Sequence, residues 1–161
     1  MRSKFLVAIL TISLGLMTPV VSAIVFPDVV IAQTVEERRK EADRFLDLGS
    51  QQLKDSQIDE ALKSWQQALK IYREIKNRRG EGYALGALGI AYYSLGNYLK
   101  AIDYQEQGLA IASEIKDRRG ESVILRSLGS MYRAVGDTAK ADNYEAKGIV
   151  LEVELTGKVQ W

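Results

Sequence analysis

The sequence predicts an all-α chain wound into a short solenoid of three helix pairs. Three observations carry the prediction: an internal repeat at a 40-residue offset, apolar spacing of helical period within each repeat, and no proline beyond Pro27 to break a helix.

The repeat is plain when the chain is laid against itself. The run from Ile75 to Glu81 (IKNRRGE) recurs from Ile115 to Glu121 (IKDRRGE). The same offset maps Leu48-Gly49 onto Leu88-Gly89 and Leu128-Gly129, Ala61 onto Ala101 and Ala141, and Leu69 onto Leu109 and Ile149. It also maps Tyr92 onto Tyr132, Gly96 onto Gly136 and Tyr104 onto Tyr144. A fixed period of this length marks stacked supersecondary units, here placed at about 41–80, 81–120 and 121–157.

Each element follows from its pattern. The first helix is expected over 34–54, with Thr34 as N-cap and Glu37 completing a capping box three residues on. Its partner over 58–76 carries Ala61, Trp65, Ala68 and Leu69 on a face suited to the core. The second pair spans 81–95 and 97–116. Leu85, Leu88, Gly89 and Tyr92 share one stripe, Leu95-Gly96-Asn97 makes a turn, and Tyr98, Ala101, Ile102, Leu109 and Ile111 mark the next helix. The third pair, 121–135 with 137–155, repeats this with Leu125, Leu128, Tyr132, Ala141 and Tyr144. The junction between pairs reads two ways. Gly80 and Gly120 could cap the preceding helix, with the Arg pairs at the negative end of its dipole. Alternatively Asn77 and Asp117 cap the next helix, with Arg-Arg-Gly in its first turn.

The N-terminus has a separate logic. Arg2 and Lys4 precede an apolar run from Phe5 to Met17, followed by Pro19 and small residues. This is the order of a secretory signal peptide. Cleavage fits after Ala23 or after Ala32; the second is preferred because charged helical sequence starts right behind it. The expectation is a 1–32 leader and a 33–161 repeat domain, exported to the periplasm, a thylakoid lumen or the extracellular space. The competing reading is an uncleaved anchor, since Phe5 to Phe26 carries no charge. The repeats would then face away from the cytoplasm, and the membrane would be met through this segment alone. Removing 1–32 takes away Arg2, Lys4 and Asp28 and brings the formal charge from +1 to zero.

Composition removes several function classes. Basic and acidic residues are interleaved (22 against 21), so no basic face for nucleic acid is expected. The chain has no Cys and no His, which excludes thiolate chemistry, Cys-ligated zinc and a Ser-His-Asp triad. No acidic loop resembles a calcium site, and neither metal nor cofactor is expected. Asp43 with Asp47 is the one carboxylate pair that a hydrolase reading could use, and an i, i+4 acidic pair usually marks a solvated helix face.

Leu85, Leu88-Gly89, Tyr92, Gly96-Asn97-Tyr98 and Ala101 together resemble the signature of the tetratricopeptide repeat (TPR), in the 40-residue form seen in kinesin light chains and many bacterial, including cyanobacterial, proteins. The resemblance covers about 34–155. The first unit departs from it, with Gln52 where the signature has Tyr and Ser56 where it has Gly. Gly108 and Gly148 replace a small Ala. The resemblance implies a right-handed solenoid whose first helices line a concave groove, and a non-catalytic protein-interaction scaffold that binds a peptide or protein segment there. It does not carry over the family's carboxylate clamp, because Gly86, Ala87, Ile90, Arg126 and Ser130 stand at the matching places.

Packing accounts for Leu88-Gly89, Leu128-Gly129, Trp65 and the four tyrosines Tyr92, Tyr104, Tyr132 and Tyr144. It does not need the groove stripes: Tyr83, Gly86, Ile90 and Tyr93 in the middle unit; Val123, Arg126, Ser130 and Arg133 in the third; Asp43, Leu46, Ser50 and Leu53 in the first. Tyr83, Ile90, Tyr93, Arg126 and Arg133 are therefore the expected partner contacts, since exposed Tyr beside Arg is the composition of interface hot spots. The arginines are expected to lack an acid on their own stripe. The alternative to groove binding is self-association through the last helix, which carries Ile149, Val150, Leu151, Val153 and Leu155 where a solenoid end calls for polar residues.

Overall fold

A computed structural model describes residues 27–157, with side chains from residue 34. The segment before Pro27, and with it the site at Ala23, lies outside the described residues. Six helices follow one another: α1 (Pro27–Lys54), α2 (Ile58–Glu74), α3 (Arg78–Ser94), α4 (Tyr98–Glu114), α5 (Arg118–Ala134) and α6 (Thr138–Thr156). Among the described residues there is no strand. Helices pack as the pairs α1–α2, α3–α4 and α5–α6, and each pair leans on the next through α2–α3 and α4–α5. This is an α-solenoid.

Three helix starts differ from expectation. Thr34 is not an N-cap; α1 begins at Pro27 and runs through Ala32. Proline is well tolerated in a first helical turn, where its missing N–H has no partner to lose, and the sequence after it contains no breaker. Between pairs, the N-cap reading of the junction holds. Asn77 and Asp117 accept hydrogen bonds from the backbone N–H of Gly80 and Gly120, at 3.0 and 2.9 Å. α3 and α5 therefore start at Arg78 and Arg118, earlier than 81 and 121. Gly80 serves packing: a Cβ there would drive into the Tyr72 ring.

All five turns share one geometry. Ser56, Lys76, Gly96, Lys116 and Gly136 each have positive φ, and the residue after each begins a new cap. Asn97 and Asp137 cap α4 and α6 just as Asn77 and Asp117 cap α3 and α5. The backbone thus repeats every single helix, while the side chains repeat every second one.

The core is built from small residues at the crossings and large ones between them. Ala61, Ala84, Ala101 and Ala141 are fully buried. Trp65 lies over Gly49, where a Cβ would come within 2.5 Å of its indole nitrogen, and that nitrogen donates to Leu46 O at 3.0 Å. Tyr92 stacks on Tyr104 with ring centroids 5.4 Å apart, and Tyr132 on Tyr144 at 5.3 Å. Leu88 and Leu128 are wholly buried, whereas their equivalent Leu48 is 46% exposed. Leu88 and Leu128 sit on helices with a preceding pair to lean on; α1 has none among the described residues.

A charge ladder fastens each pair. Arg38 pairs with Glu41 and Glu74, Arg78 with Glu81 and Glu114, and Arg118 with Glu121 and Glu154. One guanidinium thereby ties the start of each first helix to the end of its partner. Glu81 and Glu121 are buried, and Glu81 also accepts from Arg73 at 2.8 Å. The Arg-Arg-Gly-Glu recurrence is explained by this fastening.

Candidate functional site

The stripe expected to face the groove is free of packing on α3. Tyr83 is 49% exposed, Ile90 47% and Tyr93 38%. Between them lies Gly86, with nothing within 4 Å of where a Cβ would be. Spacing of three, four and three residues keeps these positions on one side of a helix. Leu85, Leu88 and Gly89, off this stripe, are all buried, Gly89 against Gln105 of α4. Arg79 Nε donates to the Tyr83 hydroxyl at 3.1 Å, with its guanidinium carbon 5.8 Å from the ring centroid, which limits the ring's freedom. Tyr93 leans on Tyr98, centroids 5.3 Å apart. Both aromatic side chains are thus held in place before anything binds.

Beside Tyr93 the α3–α4 turn exposes Leu95 and Leu99, the latter 75%. These two extend the apolar surface and were not expected from the sequence. Their signal was there: Asp59 and Ala139 stand at the positions equivalent to Leu99 in the other units, so nothing in the repeat requires a leucine there.

On α5, Val123, Ser130, Arg126 and Arg133 are exposed. No acid shares their stripe, but α6 supplies acids from alongside. Arg126 Nη1 donates to Glu152 at 3.1 Å. Arg133 Nη2 donates to Asp142 at 3.1 Å and to Glu145 at 2.7 Å. These contacts hold Arg133 protonated, chiefly through the Glu145 hydrogen bond. Each guanidinium has five N–H donors, so donors remain for a further carboxylate. Glu145 and Glu152 were not legible in the sequence, because pairing across a helix crossing is invisible to spacing along one helix.

Val123, Arg126 and Ser130 of α5, with Glu145, Ile149 and Glu152 of α6, line a cleft of about 510 Å³. Forty residues earlier Gln105 and Ala112 are buried, whereas Tyr83 and Ile90, the equivalents of Val123 and Ser130, stay exposed although α5 follows.

In the first unit, Asp43 is committed to structure. Its Oδ1 accepts from the Tyr72 hydroxyl at 2.6 Å and its Oδ2 pairs with Arg39 at 2.9 Å. Burial, reinforced by that carboxylate, raises the Tyr72 pKa well above the usual tyrosine range. Asp47 is exposed, and no hydrogen bond or ion pair joins it to Asp43. Among the described residues no three acidic side chains cluster as a metal site would require, and no helix is long and apolar enough to cross a membrane.

Comparison with known proteins agrees with this geometry. The family model for the tetratricopeptide repeat matches residues 45–114 and 88–149. Two solved structures are similar. The TPR domain of Arabidopsis FLU is 24% identical with a TM-score of 0.69, covering 73% of this chain and 98% of that one. BtubC (BKLC) from P. vanneervenii is 20% identical with a TM-score of 0.70, covering 83% of this chain and 56% of that one. At these identities the likeness is one of fold. No curated protein matches the chain.

Proposed function

Because this chain belongs to the tetratricopeptide-repeat family, whose members are generally protein-interaction scaffolds, we propose that it is a non-catalytic scaffold gripping an extended protein segment along α3 and α5. One observation carries the reading: Tyr83, Ile90 and Tyr93 form an exposed stripe that the solenoid's packing does not use, with both rings already braced by Arg79 and Tyr98. Bracing lowers the ordering cost that binding otherwise incurs. The partner would lay apolar side chains against this stripe and on toward Leu95 and Leu99. An acidic group at one end of the segment would meet the spare donors of Arg126 and Arg133.

The proposed setting is outside the cytoplasm. Arg2, Lys4 and the apolar run that follows support export, with cleavage after Ala32 or Ala23, or retention as an anchor with the repeats facing away from the cytoplasm. N-terminal sequencing of the exported form should start at Gln33 or at Ile24; recovery solely as full-length cytosolic protein would count against export.

The groove is tested with the partner captured from the exported fraction. Tyr93→Ala and Arg133→Ala should each weaken binding by at least about 1 kcal/mol without loss of helix content. If both variants bind like the parent, the groove is not the site.

A further inference from the structure

The two ends of the described solenoid are complementary to each other. Inside the chain, each second helix presents a face that the next first helix covers. α4 offers Leu109 and Gly108, and α5 brings Leu125 and Ile124 to them: Leu125 lines one recess with Leu109, and the Ile124 side chain lies 3.6 Å from where a Cβ on Gly108 would be. Shifted by 40 residues, the outgoing face of α6 is Ile149 and Gly148, flanked by Glu145 and Glu152. Shifted back by 80, the incoming face of α1 is Phe45 and Arg44, with Leu48 at the place of Leu128.

Among the described residues no neighbouring helix covers Leu48 or Ile149. Ile149 is 47% exposed where its equivalent Leu69 is 7%, and Leu48 is the exposed member of a leucine position buried twice elsewhere. Their charges also match. Arg44 makes no ion pair among the described residues. The internal template would seat it on Gly148, between Glu145 and Glu152, each of which otherwise meets only α5 arginines. Phe45 would meet Ile149 as Leu125 meets Leu109.

We infer that the chain associates head to tail with further copies of itself, α1 of one copy packing on the outgoing face of α6 of the next as α5 packs on α4 within the chain. The interface continues the one already inside the solenoid. It is heterologous, so it propagates into a filament or closes into a ring, in contrast to a two-fold pair of α6 helices. This goes beyond groove binding: neither Leu48 nor Ile149 lies on the α3 stripe.

The test uses the protein as purified, followed by sedimentation velocity over a wide concentration range. The parent should sediment faster as concentration rises. Leu48→Lys removes the incoming face and Ile149→Lys the outgoing face, and each alone should stay monomeric with unchanged helix content. Mixed, the two should form a one-to-one dimer and nothing larger, because each retains the face that the other lacks. A dimer on mixing also shows that both variants are folded. A parent that stays monomeric throughout overturns the inference. So does self-association of Leu48→Lys alone, which would mean an α6–α6 contact, and so does a mixture that remains monomeric.

Discussion

The side chain of Gln105 lies across Gly89 and donates to the carbonyl of Gly86 at 3.2 Å. It is the same bond, one unit on, that the Trp65 indole makes over Gly49 to Leu46 O. In the third unit the place is taken by Glu145 over Gly129, which turns instead to Arg133. Three chemically different residues thus exploit one opening left by a glycine at the crossing of two helices. The Gln105 amide oxygen is the one buried side-chain polar atom without a partner among the described residues: the opening offers a carbonyl for the amide N–H but no donor for the oxygen.

The glycines should therefore separate by what stands over them. Gly49→Ala puts a methyl within 2.5 Å of a rigid indole and should destabilise by about 1–3 kcal/mol through overpacking. Gly86→Ala meets nothing within 4 Å and should stabilise by about 0.5–1 kcal/mol through helix propensity. Urea denaturation of both variants checks the sign; a stabilising Gly49→Ala would refute the packing account.

Lys76 and Lys116 occupy left-handed backbone, with φ of 56° and 58°, at positions where the equivalent turns have Gly96 and Gly136. Lys76→Gly and Lys116→Gly should each raise stability by about 0.5–1 kcal/mol, since glycine adopts this conformation without the Cβ penalty. Gly96→Ala, with open space around it, should cost about 1 kcal/mol from backbone strain alone. Thermal melts rank the three, and the reverse order would contradict the turn geometry.

The charge ladder should be unequal along its length. Glu114→Gln removes a mostly solvated partner of Arg78 and should leave the denaturant midpoint almost unchanged. Replacing both Arg73 and Arg78 by alanine leaves the Glu81 carboxylate buried without either cation and should cost about 3 kcal/mol or more at neutral pH. Adding Glu81→Gln to that pair should restore much of the loss. Denaturant midpoints measure all three.

Alkaline pH should loosen the core. Burial first, then hydrogen bonds to Asp43 and Glu106, raise the pKa of Tyr72 and Tyr132. A raised folded pKa means that the folded state holds these protons where the unfolded chain releases them. The stability they confer is complete below about pH 10, the ordinary tyrosine value, and falls as pH rises beyond it. Tyr72→Phe should flatten this fall when melting is followed from pH 8 to 11; an unchanged slope would place the sensitivity elsewhere.

What could be read from the sequence is what depends on position along the chain. The 40-residue offset and the helical spacing of Leu85, Leu88 and Tyr92 gave the helix pairs, their number and their buried faces, because burying one side of a helix constrains residue type at every turn. The stripe Tyr83, Ile90 and Tyr93 was legible by subtraction, as large apolar residues at places the core does not use. Tertiary structure decided the rest, for the reason that crossings join residues whose separation obeys no local period. It supplied Glu152 to Arg126 and Glu145 to Arg133, and it joined Arg78 to Glu114. It also set the fate of one leucine position. Leu48, Leu88 and Leu128 are the same residue in the same pattern, and among the described residues two of them have a preceding helix pair to pack on and are core, while Leu48 has none and is surface.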